Sequence, residues 1–310
     1  MDRKLFSELS EIKTTTLDIA WLILAIVFTY LNYETFNLIY GLLGFVAVFF
    51  IHLFINFHNN YMDYRNSTSE EYRKKISTIG INRESLAIVK KWMYGLAIFP
   101  LIIGAFLVYK TGWITLVLGI IGIDVGLLYS AGPKPLNSTM FGEIVVAVAI
   151  TQLIPVTYVY LGLVGVGKFD SSTAISIILV SLPNTFAAFC AELSNGTCDL
   201  EADVKNGRNT LVSRIGKTNA LSLFKASWAL AFLLIPILAI LKVVPYITLL
   251  LVLLYPNIWD DLRPYLKEQI KTKTYPLVIK AVTKLVVGYI LLIAVGAIIK
   301  MIMSLIVTAH

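Results

Sequence analysis

Two clusters of oxygen-bearing side chains stand where long apolar segments end. The first contains Asn56, Asn60 and Asp63, and the second contains Asn195, Asp199 and Asp203. Residues three or four apart share one face of a helix, so each cluster predicts a polar ridge. Amide and carboxylate oxygens suit Mg²⁺, which binds one or two carboxylates together with substrate phosphate oxygens. The spacing therefore predicts a metal–diphosphate site between the two ridges.

The composition places these ridges in a membrane protein. The chain has 310 residues, of which 57% are hydrophobic and 15% charged, and its mean hydropathy is +0.78. Soluble domains carry about 25% charged residues. We expect one all-α polytopic membrane domain over residues 1–310, surrounded by membrane lipid. Its net charge of +7 is explained by attraction to anionic headgroups and a diphosphate, so no nucleic-acid partner is expected.

Nine segments approach the roughly 20 apolar residues that one spanning helix needs. They lie near 17–33, 37–57, 92–109, 113–131, 143–163, 174–194, 220–241, 243–259 and 279–307. Before the first of them, Leu5, Leu9 and Ile12 recur at helical spacing, which predicts a short interfacial helix within residues 1–16.

The basic residues predict the orientation. Of the 26 lysines and arginines, only Lys110, Lys168, Lys242 and Lys300 fall on one side, and the other 22 fall on the opposite side. Cytoplasmic loops carry this excess. We expect a multi-pass protein of the plasma membrane whose N-terminus is cytoplasmic, with loops 58–91 and 195–219 capping the site. Four spans separate the two clusters, so both belong to the same face.

Four cations are placed to bind a diphosphate: Arg65, Lys134, Lys205 and Arg208. Loss of diphosphate from an allylic prenyl chain leaves a resonance-stabilised cation, and fixed positive charges neutralise the departing oxygens. Arg208 is the first candidate because it directly follows the second cluster. The alternative for each is an anchor that follows the positive-inside rule.

Three stretches carry a resemblance to a known family. Residues 56–64, Asn-Phe-His-Asn-Asn-Tyr-Met-Asp-Tyr, resemble the first motif of the UbiA superfamily of intramembrane prenyltransferases. Residues 195–203, followed by Gly-Arg-Asn-Thr-Leu at 207–211, resemble the second. Residues 129–136, Tyr-Ser-Ala-Gly-Pro-Lys-Pro-Leu, are similar to a loop of the 1,4-dihydroxy-2-naphthoate (menaquinone) branch. The resemblance spans roughly residues 15–300.

The resemblance implies helices around a central cavity and Mg²⁺-dependent transfer of a polyprenyl group from its diphosphate to an aromatic acceptor. In the naphthoate branch the acceptor loses its carboxylate and demethylmenaquinone results. Diphosphate–metal ligands carry over to five positions: Asn56, Asp63, Asn195, Asp199 and Asp203.

The first motif departs from the family pattern at two positions. Asn60 stands where the family usually has Asp, and Ser69 replaces a later Asp, with Glu70 and Glu71 beside it as possible substitutes. An amide oxygen coordinates a metal without contributing charge. We keep Asn60 in the predicted ligand set, and the number of bound ions stays open.

Two residues of the fourth span join the three aspartates as catalytic candidates. Asp124 lies about two turns inside the span, where an ionisable group costs about 2.5–3.5 kcal/mol and usually faces a cavity. We expect it to line the acceptor end of the pocket; a hydrogen bond to a neighbouring helix is the alternative. Tyr129 is expected to orient the acceptor or the diphosphate, unless it is an ordinary interfacial tyrosine.

Two other functions fit the same residues. A prenyltransferase of this superfamily could use another acceptor: hydroxybenzoate, homogentisate, a porphyrin or a glycerol phosphate. A transporter or non-catalytic lipid-binding protein could use the clusters as an ion path. Alternating-access carriers place their sites near the midplane, whereas both clusters here lie at one side.

Overall fold

The computed structural model describes residues 1–15, 17–67, 70–75 and 77–308, and these residues form helices joined by turns and short loops. Ser69, the predicted departure from the first motif, lies outside the described residues. Two short helices, α1 (Arg3–Ser10) and α2 (Ile12–Thr15), precede α3 (Asp18–Tyr33) and α4 (Leu38–Asn66). Two more, α5 (Glu70–Lys75) and α6 (Thr78–Ile81), lead to α7 (Leu86–Thr111) and α8 (Trp113–Ser130).

The second half of the chain continues the same pattern. Helix α9 (Gly142–Val148) runs through a π turn (Ala149–Leu153) into α10 (Ile154–Leu163). The long helices α11 (Ser171–Lys205) and α12 (Leu211–Ile240) follow. A 3₁₀ segment (Tyr246–Leu254) leads into α13 (Tyr255–Lys267), and α14 (Tyr275–Thr308) is the last helix described.

Seven helical segments among the described residues are long and apolar enough to cross a membrane. They are Leu38–Asn66, Leu86–Thr111, Trp113–Ser130, Gly142–Leu163, Ser171–Lys205, Leu211–Ile240 and Tyr275–Val307. The other two predicted spans correspond to α3, which has 16 residues, and to the 3₁₀ segment with the start of α13. The chain is a multi-pass integral membrane protein with an all-helical fold.

The membrane helices pack around α3, α11 and α14. Fully buried aromatic side chains fill the spaces between them, among them Tyr158, Phe224 and Tyr289. Polar contacts add to this packing: the buried carboxylate of Asp18 on α3 lies 3.1 Å from the His52 ring on α4. Outward faces carry many exposed leucines and isoleucines, as expected of a surface that contacts lipid.

The two predicted motifs lie on helices that continue past the apolar spans. Helix α4 extends to Asn66 and α11 to Lys205, so both ridges are helical along their whole length. Leu5 and Leu9 of α1 are buried against Phe57 and Tyr61 of α4. The apolar stripe of the N-terminal segment therefore packs on the protein beside the first motif.

Candidate functional site

The first motif anchors the N-terminal helices. The Asn56 side-chain nitrogen donates to the Ser10 carbonyl oxygen at 2.9 Å and to Thr15 Oγ1 at 3.3 Å. The Asn60 nitrogen donates to the Leu9 carbonyl oxygen at 3.3 Å. These bonds use the amide nitrogens, which cannot coordinate a metal, and leave each amide oxygen as the potential ligand.

Arg208 joins the two motifs. Its Nη2 lies 2.7 Å from Asp63 Oδ1, and its Nη1 lies 3.4 Å from Asp203 Oδ1. Asn137, from the loop after α8, donates to the same Asp63 oxygen at 3.4 Å. The two carboxylates and their shared guanidinium are partly buried, so their attraction is screened less than on an open surface. The structure thus places a carboxylate of each motif beside the same guanidinium.

The end of α11 explains how Arg208 reaches this position. Gly207 has a φ of 70°, a left-handed conformation in which a side chain is disfavoured. The turn directs the Arg208 amide to the Asp203 carbonyl oxygen at 2.9 Å, and the Gly207 amide bonds Val204 at 3.1 Å, in the manner of a glycine helix cap. Residues 207–211, which resemble the family motif, thus fold the guanidinium back over the acidic ridge.

The contacts of Arg208 with Asp63 and Asp203 are called the Arg208 bridge below. A polar pocket of about 80 Å³ lies next to this bridge. Its lining includes Asp63, Asn66, Ser130, Asn137, Asn206 and Arg208. These residues come from α4, from the end of α8 with its following loop, and from the end of α11. A larger open depression of about 490 Å³, near Lys300, lies at the opposite end of α14 and contains none of the predicted site residues.

The end of α8 is fixed against the first motif. Ser130 Oγ donates to Asn59 Oδ1 at 2.8 Å and lies 3.3 Å from His58 Nδ1. The adjacent Tyr129 is half-buried and within electrostatic reach of Asp63 and Arg208. The structure therefore brings Tyr129 into the same region as both motifs, which suits the predicted orienting role.

The second motif has a cationic partner that the sequence did not single out. Lys271, in the turn between α13 and α14, donates from Nζ to Asn195 Oδ1 and to Asp199 Oδ2. Its ammonium also lies 4.9 Å from the centroid of the Tyr275 ring. The six basic residues of 260–284 all fit a positive-inside anchor, so nothing local distinguished Lys271.

Glu11 is a second residue that sequence reasoning missed. It joins α1 to α2 in a left-handed conformation, with a φ of 48°. Its side chain is exposed to solvent, although many protein atoms surround the carboxyl group. Burial raises the pKa of the Glu11 carboxyl; His52 and Lys271 oppose the rise, and Asp63 adds to it. The carboxyl thus belongs to the electrostatic surroundings of the motifs.

The other predicted cations lie at the edge of the site. Arg65, Lys134 and Lys205 are exposed. Each directly precedes a residue that lines the pocket, respectively Asn66, Pro135 and Asn206. Glu70 and Glu71 are exposed too, and Glu70 forms an ion pair with Lys74 at 2.6 Å. Diphosphate binding by these cations and metal binding by these glutamates stay predictions.

Asp124 does not join the motifs. Its side chain is exposed on α8, on the face that carries the exposed Ile120, Ile121 and Leu128. Five residues along a helix turn the direction by about 140°, so Tyr129 and Asp124 face different ways. The acceptor-lining role of Asp124 stays a prediction.

The donor set fits a hard divalent cation such as Mg²⁺. The motifs supply the carboxylates of Asp63, Asp199 and Asp203 and the amide oxygens of three asparagines. Within the described ranges, no three His, Cys, Asp or Glu residues form a group that could hold a metal alone. Such an open set suits an ion that completes its shell with substrate phosphates. Arg208 and Lys271 already hold positive charge against these carboxylates.

The chain belongs to the UbiA prenyltransferase family, whose sequence model matches residues 19–259. A curated relative, 1,4-dihydroxy-2-naphthoate octaprenyltransferase of Bacillus subtilis (strain 168), is 29% identical over 202 residues. The match covers 62% of this chain and 61% of the relative, so the chain spans less than two thirds of that protein.

Solved structures of related proteins share the fold. A UbiA homolog from Aeropyrum pernix K1 superposes with a TM-score of 0.68 at 14% identity, covering 94% of this chain and 98% of its own. A digeranylgeranylglyceryl phosphate synthase gives 0.63 at 21% identity, covering 95% and 98%. A UbiA homolog from Archaeoglobus fulgidus, bound to GPP and Mg²⁺, gives 0.58 at 15% identity, covering 94% and 99%.

Proposed function

We propose that this prenyltransferase uses Mg²⁺ to transfer a polyprenyl group from its diphosphate to 1,4-dihydroxy-2-naphthoate. The observation that carries the proposal is the contact of Arg208 with both Asp63 and Asp203, beside a polar pocket that Asp63 and Arg208 line. The acceptor assignment is supported by the Bacillus subtilis relative and by the loop at residues 129–136. The A. fulgidus homolog bound to GPP and Mg²⁺ supports the choice of metal.

The residues of this chain divide the work of the reaction. Mg²⁺, when bound by the motif oxygens, supplies charge that neutralises the departing diphosphate. Arg208 adds a fixed guanidinium, whose planar fork matches phosphate oxygens. Asn137 and Ser130 keep the loop and α8 in position around the pocket. Tyr129 borders the same region and is placed to orient the acceptor ring.

The chemistry balances without an added oxidant. The bond between the allylic carbon and the diphosphate oxygen breaks, and the electron pair leaves with the diphosphate. A carbon–carbon bond then forms at the ring carbon that carries the carboxylate. Loss of CO₂ returns an electron pair to the ring, which gives the demethylmenaquinone skeleton at the quinol level.

The membrane orientation, with the motifs cytoplasmic, belongs to the same proposal and is supported by the distribution of the basic residues.

A panel of acceptors tests the assignment. Purified protein in lipid nanodiscs would receive a polyprenyl diphosphate with dihydroxynaphthoate, hydroxybenzoate, homogentisate, a porphyrin or a glycerol phosphate. We expect CO₂ release and a prenylated product with dihydroxynaphthoate alone, and loss of both when a chelator removes Mg²⁺. Faster turnover with another acceptor would overturn the acceptor assignment, and chelator-resistant transfer would overturn the metal assignment.

A further inference from the structure

Lys271 meets the second motif through a built turn. The Ile270 amide donates to Thr274 Oγ1 at 2.8 Å, and that hydroxyl donates to the Glu268 carbonyl oxygen at 2.9 Å. Thr274 itself is 8% exposed. Its side chain therefore closes the turn from inside and fixes the backbone from which Lys271 extends.

The same turn is attached to the motif helix. The Tyr265 hydroxyl, on α13, lies 2.6 Å from Thr197 Oγ1 on α11, and both side chains are buried. Thr197 lies between Asn195 and Asp199 in the sequence. Because α13 is fixed beside these two residues, the contact of Lys271 with them is a feature of the packing.

The surroundings of Lys271 are predominantly acidic. Besides Asp199, the carboxyl groups of Glu11, Glu192 and Asp203 are within its electrostatic reach. A diphosphate entering without a cation would meet this negative charge, whereas a metal–diphosphate brings its own neutralisation. The Lys271 ammonium, with several carboxylates around it, therefore lies where a divalent cation and a diphosphate would enter together.

We propose that Lys271 is a further diphosphate-binding residue, which holds Asn195 and Asp199 before substrate binds and moves to the diphosphate oxygens when the metal takes its place. This inference rests on the proposed function. A lysine suits such an exchange because its ammonium is a compact charge with three donors on a flexible stem. The Lys271 nitrogen lies near the Tyr275 ring, whose cation–π attraction would stabilise the ammonium as it moves from Asp199 to the diphosphate.

The exchange predicts opposite effects on two ligands. Without the ammonium, Asp199 and Asn195 are open to a metal, so Mg²⁺ alone binds more tightly. The diphosphate loses one charged donor, so pyrophosphate binds more weakly in saturating Mg²⁺. A charge-assisted contact to phosphate corresponds to a loss of about ten-fold or more in affinity.

The experiment compares Lys271→Met with Lys273→Met in the full-length protein. Lys273 is an exposed lysine of the same turn and controls for lost surface charge. Affinities for MgCl₂ alone, and for inorganic pyrophosphate in saturating MgCl₂, come from ligand-dependent shifts of the unfolding temperature. We expect Lys271→Met to bind Mg²⁺ with a few-fold higher affinity and pyrophosphate with about ten-fold lower affinity than the wild type. Lys273→Met should have the wild-type affinity for both ligands. Lys271→Gln replaces the methionine variant where that one does not fold.

Two results overturn the inference while the proposed function stands. Affinities of Lys271→Met equal to those of Lys273→Met would mean that Lys271 does not contact the diphosphate. Weaker binding of both ligands would mean that Lys271 only maintains the shape of the site. Failure of the wild-type protein to bind pyrophosphate in Mg²⁺ would overturn the proposed function as well.

Discussion

The guanidinium of Arg208 lies 2.7 Å from the carboxylate of Asp63, a residue 145 positions earlier in the chain. The same guanidinium contacts Asp203, which lies five residues before it, on α11. One side chain thus connects the ends of two membrane helices. This contact brings the two motifs together, and its removal is the first prediction.

Removing this bridge should affect stability and transfer together. In Arg208→Gln the carboxylates of Asp63 and Asp203 lose their shared cation. We expect the free energy of unfolding to fall by about 1–3 kcal/mol, as is typical for charge-assisted hydrogen bonds, and prenyl transfer to fall by about 100-fold or more. Denaturant unfolding and turnover at saturating acceptor measure the two effects.

The matched control for this variant is Arg214→Gln. Arg214 is exposed on α12 and donates to Asn209 Oδ1 at 2.8 Å. We expect it to retain wild-type transfer. Equal losses in the two variants would show that the Arg208 bridge has no special part in the site.

The sequence predicted the elements better than the contacts between them. Apolar length located the helices, and motif spacing located both ridges and Arg208, because these features are local. Lys271 could not be predicted, since its contact with Asp199 joins residues 72 positions apart through the packing of α13 and α14. The same reason explains why the anchoring of α1 by Asn60 was not foreseen.

The stability of the protein should depend on pH through Glu11. Below the ordinary value of 4.5 the carboxyl is protonated in the folded and unfolded chains alike. As pH rises through the raised folded-state pKa, ionisation is less costly in the unfolded chain, so wild-type stability falls and then levels off. At about pH 8 the unfolding temperature of Glu11→Gln should therefore be higher than that of the wild type. At about pH 4 the two unfolding temperatures should be equal.

The control for the pH effect is Glu8→Gln. Glu8 is an exposed residue of the same N-terminal segment, 3.9 Å from Lys4. We expect its unfolding temperature to stay close to that of the wild type at both pH values. A Glu11→Gln difference that is the same at both would contradict the raised pKa.

Gly216 should tolerate no side chain. It interrupts α12 with a φ of 78° and a ψ of 159°, a conformation that is essentially restricted to glycine. Gly216→Ala should lower the free energy of unfolding by about 1–3 kcal/mol. Gly119, on α8, has open space where the methyl group of an alanine would lie, so Gly119→Ala should change stability by less than about 1 kcal/mol. Equal effects of both substitutions in denaturant unfolding would contradict this backbone assignment.

The most direct test of a shared site is a double-mutant cycle on Asp63 and Asp199, with Glu201→Ala as an exposed control on α11. The measured quantity is Mg²⁺-dependent release of pyrophosphate from a polyprenyl diphosphate in the presence of dihydroxynaphthoate. In the proposed site both carboxylates bind one metal–diphosphate group, so Asp63→Ala and Asp199→Ala should each abolish most of the rate, and the double variant should be no slower than either. Wild-type turnover in either single variant, or fully additive losses in the double variant, would contradict the shared site.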